Sequence, residues 1–454
     1  MHSRPLKPEP APFTDPESSQ QSLRGNALSP IVTDVRGRVE GLENLPLTVT
    51  FDALVLDARL RQSLVTVRSL GRRGHSVAAV ESFNNVPAFS SRWCRQGFVC
   101  PADEGSAAYL AHLEQLLRRI DARVLIPSAD GTIELLRRHR ARLEQRVRIA
   151  LANEPALNIA VNKERTLAVA KGLGLNVPRS LVVKTAGEVP VALKEIGLPA
   201  VVKPAESWLW CAQHGSRVNA QVVTTLEEAR RAVGEVTRFG GVTLLQPLLS
   251  GRREAVSFLY ANGKMYARFA QWAKRTRPQL GGESVLRQSV PVPPDIGDQA
   301  ERLVREIDLE GYSEVEFRRD SAGTPYLMEI NPRLSASVEI AVRSGVDFPC
   351  LLYQWASGGP INTVERYRTG GWMRYLTGDL MTTITALQQR GRPEVTPPVR
   401  AVLGFAHSFF MPMGYDYLDW TDPLPAVKAT TDFMRSSVRA VINGKLSRLR
   451  EKPS

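Results

Sequence analysis

Val315-Glu316-Phe317, followed after a short gap by Leu327-Met328-Glu329-Ile330-Asn331-Pro332-Arg333, is the stretch whose reading decides the fold. Between the two segments stands Ser321-Ala322-Gly323-Thr324, a turn composition that predicts a hairpin. Alternate side chains of an extended chain share a face, so Glu329, Asn331 and Arg333 point the same way. A hairpin centred on Ala322 and Gly323 sets Glu316 opposite Glu329. Carboxylates that close repel unless a cation lies between them. Magnesium accepts one or two carboxylates and fills its octahedron with phosphate oxygens and water. Glu316, Glu329 and Asn331 therefore read as magnesium ligands once a nucleotide is present. A solvated hairpin edge would carry the same charges without chemistry. The apolar neighbours Val315, Phe317, Leu327 and Ile330 speak against that, because they place the hairpin in a sheet that packs.

Four segments upstream of the hairpin extend this reading. Lys163 opens a helix, and Lys203 ends the apolar strand Ala200-Val201-Val202, where a lysine can reach a phosphate as a point charge. Leu244-Leu245-Gln246-Pro247-Leu248-Leu249 is an apolar strand running into a proline-fixed connection, which offers a greasy wall and backbone groups to adenine. Glu254, just beyond it, is placed to take ribose hydroxyls. Gly281-Gly282 leads into a strand bearing Arg287, a guanidinium suited to a carboxylate or phosphate. Ser207–Ser216, with Trp208, Trp210, Cys211 and His214, reads as a loop where a lid over phosphates is expected. Its tryptophans are expected to pack on substrate or on a partner subunit, and His214 is read as a polar loop residue.

The coarse pattern divides 454 residues into several units. Residues 1–47 read as a flexible tail. From 48 to 155, short apolar strands (Phe51–Asp57, Ser76–Glu81, Arg123–Pro127) alternate with helices, which predicts a parallel α/β domain. Its first strand is followed by Asp57-Ala58-Arg59 and not by a glycine-rich turn, so a dinucleotide role is unsupported. Residues 156–362 mix strands and helices, with a smaller lid unit at about 180–248. Residues 363–454 are less periodic and read as a C-terminal extension.

A net charge of +13 raises the question of a nucleic-acid partner. The arginines are spread along helices and no nucleic-acid module accompanies them, so none is expected. Four cysteines without metal or disulfide spacing read as ordinary thiols. No apolar run is long enough to span a membrane and no signal-peptide core opens the chain, which makes the cytoplasm the expected location.

In this order the elements resemble the ATP-grasp superfamily, in particular its carbamoyl-phosphate synthetase and biotin carboxylase-like carboxylate–amine ligase branch. The resemblance covers about residues 50–360 and is most specific at Glu316 with Glu329-Ile330-Asn331-Pro332-Arg333. It implies ATP and magnesium as cofactors, with manganese as an alternative metal. Lys163 and Lys203 become the phosphate lysines, Gln246 and Leu248 the adenine hinge, and Glu254 the ribose ligand, one residue later than usual. Glu316, Glu329 and Asn331 become the metal ligands, and Arg287 and Arg333 face an acyl phosphate. Small carboxylate and amine substrates are implied, and a homodimer is left open. Activation of bicarbonate or another acid without amine ligation, and nucleotide binding without catalysis, stand as alternatives. The lid departs from the family in having Gly215 instead of a glycine-rich run, and the C-terminal stretch matches no part of it.

Overall fold

The computed structural model describes residues 31–33, 39–41 and 49–450, apart from 212, 213, 280, 393 and 394. Val49–Val55, Val77–Glu81 and Ile120–Ile126 are nearly continuous apolar runs, the pattern of strands covered on both faces. They pair in parallel at the centre of a seven-stranded sheet, with Gln96–Val99 and Arg148–Ile149 beside them. Helix Ala107–Arg119 starts where the Ser106 side chain accepts from the Tyr109 amide, and it buries Leu110, Leu113, Leu116 and Leu117. Two short strands, Ile31–Thr33 and Val39–Gly41, add an antiparallel edge next to Gln96–Val99. They come from the stretch read as a tail, the rest of which lies outside the described residues.

A four-stranded antiparallel sheet follows, in the order Gln221–Val223, Ala200–Pro204, Thr243–Pro247, Leu181–Val183. Helices Val189–Ile196 and Leu226–Thr237 cover it. Val189, Val202, Val223, Val233 and Leu245 give this unit a small core of its own.

The second seven-stranded sheet carries the hairpin. Its order is Pro325–Asn331, Gly311–Arg319, Arg253–Ala261, Lys264–Arg277, Glu283–Val290, Trp372–Arg374, Met413–Tyr415. All neighbours are antiparallel except the last two strands. Two strands of the C-terminal stretch thus belong to this sheet. Helices Leu376–Gln388, Pro398–His407 and Leu424–Arg450 complete that stretch. The first of them lacks an apolar stripe of charged contrast. Its threonines satisfy themselves within the helix, Thr382 and Thr383 donating to the Gly378 and Asp379 carbonyls, each at 3.0 Å. One core joins the sheets: Val256, Phe258, Val315, Phe317, Leu327 and Ile330 cluster with Leu125, Leu157 and Leu167.

Candidate active site

Two clefts meet at the hairpin. The first, about 530 Å³, runs between the four-stranded sheet and the large one and is lined by Val201, Lys203, Gln246, Leu248 and Met328. The second, about 700 Å³, lies against the N-terminal domain and is lined by Arg59, Arg61, Glu283, Asn331, Arg333 and Tyr375. Lys163, Arg253, Glu316 and Glu329 line both, so they form the junction.

Glu316 and Glu329 are cross-strand partners. The turn closes one residue tighter than a centre at Ala322–Gly323 implies, with Arg319 opposite Pro325 and Arg318 opposite Tyr326. A bulge beside Glu316 then takes up Met328 and restores the carboxylates to opposition. Asn331 donates its Nδ2 to Glu316 Oε1 at 3.0 Å, which leaves its Oδ1 to accept or to ligate.

Cations already answer these carboxylates. Arg253 bonds both Glu316 oxygens, at 2.6 and 3.0 Å, and Lys163 Nζ lies 3.4 Å from Glu329. Burial opposes ionisation of Glu329, but Lys163, Lys203 and Arg253 together hold its carboxyl below the usual range. Burial lowers Lys203 to about 8, against the pull of Glu329, with Lys163 adding repulsion. Among the described residues, only the Met328 sulfur lies within hydrogen-bonding reach of Lys203 Nζ, at 3.7 Å. A poorly solvated ammonium in a cleft is a strong point for an anion to bind.

Among the described residues, no group of three or more His, Cys, Asp or Glu side chains could hold a metal by itself. Two facing carboxylates and an amide oxygen do fit a magnesium ion whose remaining ligands are phosphate oxygens and water. Arg253 and Lys163 supply the positive charge at that place in the protein alone.

Two residues read from sequence stand elsewhere than expected. Glu254 is buried, bonded to Arg319 at 2.6 Å and Arg252 at 3.1 Å, and lines neither cleft. Strand alternation places it on the face of Val256 and Phe258, towards the core, so it is not available to ribose. Arg253, next to it, takes the cleft face. Arg287 is fully buried and both its terminal nitrogens bond Asp416, which follows the C-terminal strand Met413–Tyr415. Two buried arginines, Arg287 and Arg61, share that carboxylate and depress its pKa against the effect of burial. Arg287 is thus a packing cation behind the cleft and not a group facing an acyl phosphate. Leu248 lines the first cleft, but its amide already donates to the Pro199 carbonyl at 3.2 Å.

The other residues are in the clefts. Gln246 lines the first, its amide nitrogen 2.8 Å from Ser180 Oγ. Arg333 lines the second and donates Nε to Asp130 at 2.6 Å. Asp130 is half-buried, which works against its ionisation, yet Arg333, Arg217 and Lys163 bring it down to about 2. Glu314 was not singled out. It sits on the floor of the second cleft and accepts from Gln271 at 2.9 Å and Ser257 at 3.2 Å. Burial first, then Glu316, raises its pKa. Two-residue spacing from Glu316 along the same strand was its signal.

The segment read as a lid loop is a hairpin of Trp208–Cys211 and His214–Arg217. Trp208 is seated on the N-terminal domain, among Gly105, Gly131 and Gly215, where a Cβ would lie 2.6 Å or less from its ring. Arg138 lies 4.4 Å over the Trp210 ring. The tryptophans therefore pack on the chain's own first domain. The side chains of Cys211 and His214 lie outside the described residues, while Cys94, Cys100 and Cys350 are buried free thiols.

Lysines in the first cleft, facing carboxylates at the junction and a small sheet beside a large one give the chain an ATP-grasp-like fold. Within it, residues 241–378 match the family model described as ATP-grasp in the biosynthetic pathway with Ter operon. The chain is 27% identical over 216 residues to D-alanine–D-alanine ligase of Xanthomonas axonopodis pv. citri, a match covering 43% of this chain and 64% of that protein. It thus spans under two thirds of that relative's length. The biotin carboxylase domain of Hydrogenobacter thermophilus 2-oxoglutarate carboxylase shares the fold at TM-score 0.56 and 18% identity, over 71% of this chain and 73% of that one. N5-carboxyaminoimidazole synthetase from Staphylococcus aureus does so at TM-score 0.55 and 13% identity, over 76% and 88%. No described helix is long and apolar enough to cross a membrane.

Proposed function

We propose that this chain is an ATP- and magnesium-dependent ligase that activates a carboxylate as an acyl phosphate and joins it to an amine. The observation that carries the reading is the placement of Glu316 opposite Glu329 at the junction of two clefts. One cleft has the apolar wall and lysines a nucleotide needs, and the other has the guanidinia an acid needs. Similarity to D-alanine–D-alanine ligases supports the same class of reaction.

Phosphoryl transfer asks the protein for alignment and charge neutralisation more than for covalent help. Lys163 and Lys203 hold the phosphates, and Gln246 and Leu248 line the place of the base. Arg333, fixed by Asp130, and Arg253, fixed by Glu316, face the acid from the second cleft. Glu316, Glu329 and Asn331 would hold magnesium, which when bound supplies further charge neutralisation at the phosphate oxygens. The docked hairpin keeps water from the reactive centre.

The test is ADP release by the purified protein with ATP, magnesium, pooled acids and pooled amines, with Glu329→Ala as control. Release that needs both pools and is lost in the variant is the expected result. Release with acid or bicarbonate alone would replace amine ligation by acid activation, and tight ATP binding with no release in any pool would sink the catalytic reading.

A further inference from the structure

Most cations of the second cleft are matched by its carboxylates. Arg253 answers Glu316, Lys163 answers Glu329, and Arg61 answers Glu283 at 2.5 Å. Arg59 is held by Glu81 and Glu104 and Arg333 by Asp130, all from the first domain, so two guanidinia remain. Arg277 stands directly across the ladder from Glu283, its natural partner, but Glu283 has turned to Arg61. Among the described residues Arg277 forms no ion pair. Arg217, 54% exposed, reaches Asp130 only at 3.5 Å, because Asp130 gives its close bond to Arg333. Arg217 comes from the docked hairpin and Arg277 from the end of a strand in the large sheet. Both line the second cleft and neither lines the first. Exposed arginines on a convex surface are ordinarily just hydrated. Two of them on separate elements of one concavity, with the local carboxylates committed elsewhere, form a recognition pair in wait of anionic charge.

We propose that the acid activated by this chain carries a second anionic group, a carboxylate or a phosphate, held by Arg217 and Arg277. This rests on the ligase reading and adds a substrate class to it. The activated carboxylate lies at the junction with Glu329 and Arg333. The second anion lies outward, where the hairpin strand and the end of the strand Lys264–Arg277 line the same cleft. Neutral monoacids would leave both guanidinia unanswered and gain nothing from them.

The experiment compares glutarate and 3-phosphoglycerate with butyrate as the acid, with ATP, magnesium and a mixed amino-acid pool, in the full chain. ADP release is read, and each acid is also titrated calorimetrically into protein holding magnesium and a non-hydrolysable ATP analogue. The expected result is that glutarate or 3-phosphoglycerate binds at least about tenfold more tightly than butyrate, the size of one charge-assisted contact. Arg277→Gln and Arg217→Gln should each remove about tenfold or more of that preference and leave the KM for ATP unchanged. The better of the two probes identifies carboxylate or phosphate as the second anion. Butyrate binding as well as both anionic probes overturns the proposal, even if turnover proves the ligase. So do variants that keep the preference, or that raise the KM for ATP instead, which would make these arginines nucleotide ligands. Loss of ATP binding in the unaltered protein would instead defeat the ligase reading itself.

Discussion

The two clefts are built on opposite plans. Among the described residues, the first cleft takes no lining from the first domain and draws on the four-stranded sheet, the large sheet and Thr385, Gln389 and Arg392 of the C-terminal stretch. The second cleft is assembled from four distant parts of the chain: Arg59 and Arg61 from the first domain, Arg217 from the hairpin, Glu283 from the large sheet, and Tyr375 and Tyr417 from the C-terminal stretch. Residues of the first domain thus line only the second cleft, so its lining can change there without touching Glu316 and Glu329.

Breaking the junction should have the largest effect. Glu329→Ala is expected to lower ADP release by about a thousandfold, the scale of removing a preorganised charge group. Its urea midpoint should move little, because Glu329 keeps cationic neighbours and not a core contact. Breaking the second cleft acts on stability instead. Asp416→Ala strands Arg287 as a buried charge, leaves Arg61 with Glu283 alone, and should cost about 3–5 kcal/mol in urea unfolding, while Asp416→Glu restores part of it. Equal stability of Asp416→Ala and the parent would mean the C-terminal strands are ornamental.

A smaller effect sharpens the nucleotide side. Burial lowers Lys203 to about 8, and under the proposed function its ammonium form holds phosphate. Its pKa is lowered, so the ammonium is intact below 8 and is lost as pH rises through it. ATP affinity should fall roughly five- to tenfold between pH 7.5 and 9, and nucleotide binding at pH 8.5 should take up protons, seen in buffers of different ionisation enthalpy. Lys203→Arg should flatten the profile. The smallest effect concerns Glu254. Glu254→Gln keeps an acceptor for Arg319, and the KM for ATP should stay within about twofold. A rise well beyond that would return Glu254 to the ribose.

Much of the fold was legible because it is local. The apolar runs of the first sheet and the hairpin turn declare themselves in short windows. The pairing of Glu316 with Glu329 was legible too, but through two offsetting features, a tighter turn and a bulge at Met328 that no alternation pattern announces. Glu254 was legible and misread, since Val256 and Phe258 on its parity already marked the buried face. Arg287 was not legible. Nothing near it in sequence tells of Asp416, 129 residues later, and a buried arginine looks like a catalytic one until its partner is found. Helix Leu376–Gln388 hid because threonines and a glycine replace the usual charged face.

Trp208 gives the molecule a built-in reporter. An indole gripped by three glycines has one seat, so the hairpin is either home or away, with no graded positions between. Leaving the seat uncovers on the order of 200 Å² of ring, roughly 5 kcal/mol of lost burial. Its emission should therefore jump rather than drift as the hairpin lifts, and the timing of that jump against any ADP release would test whether the hairpin acts as a gate.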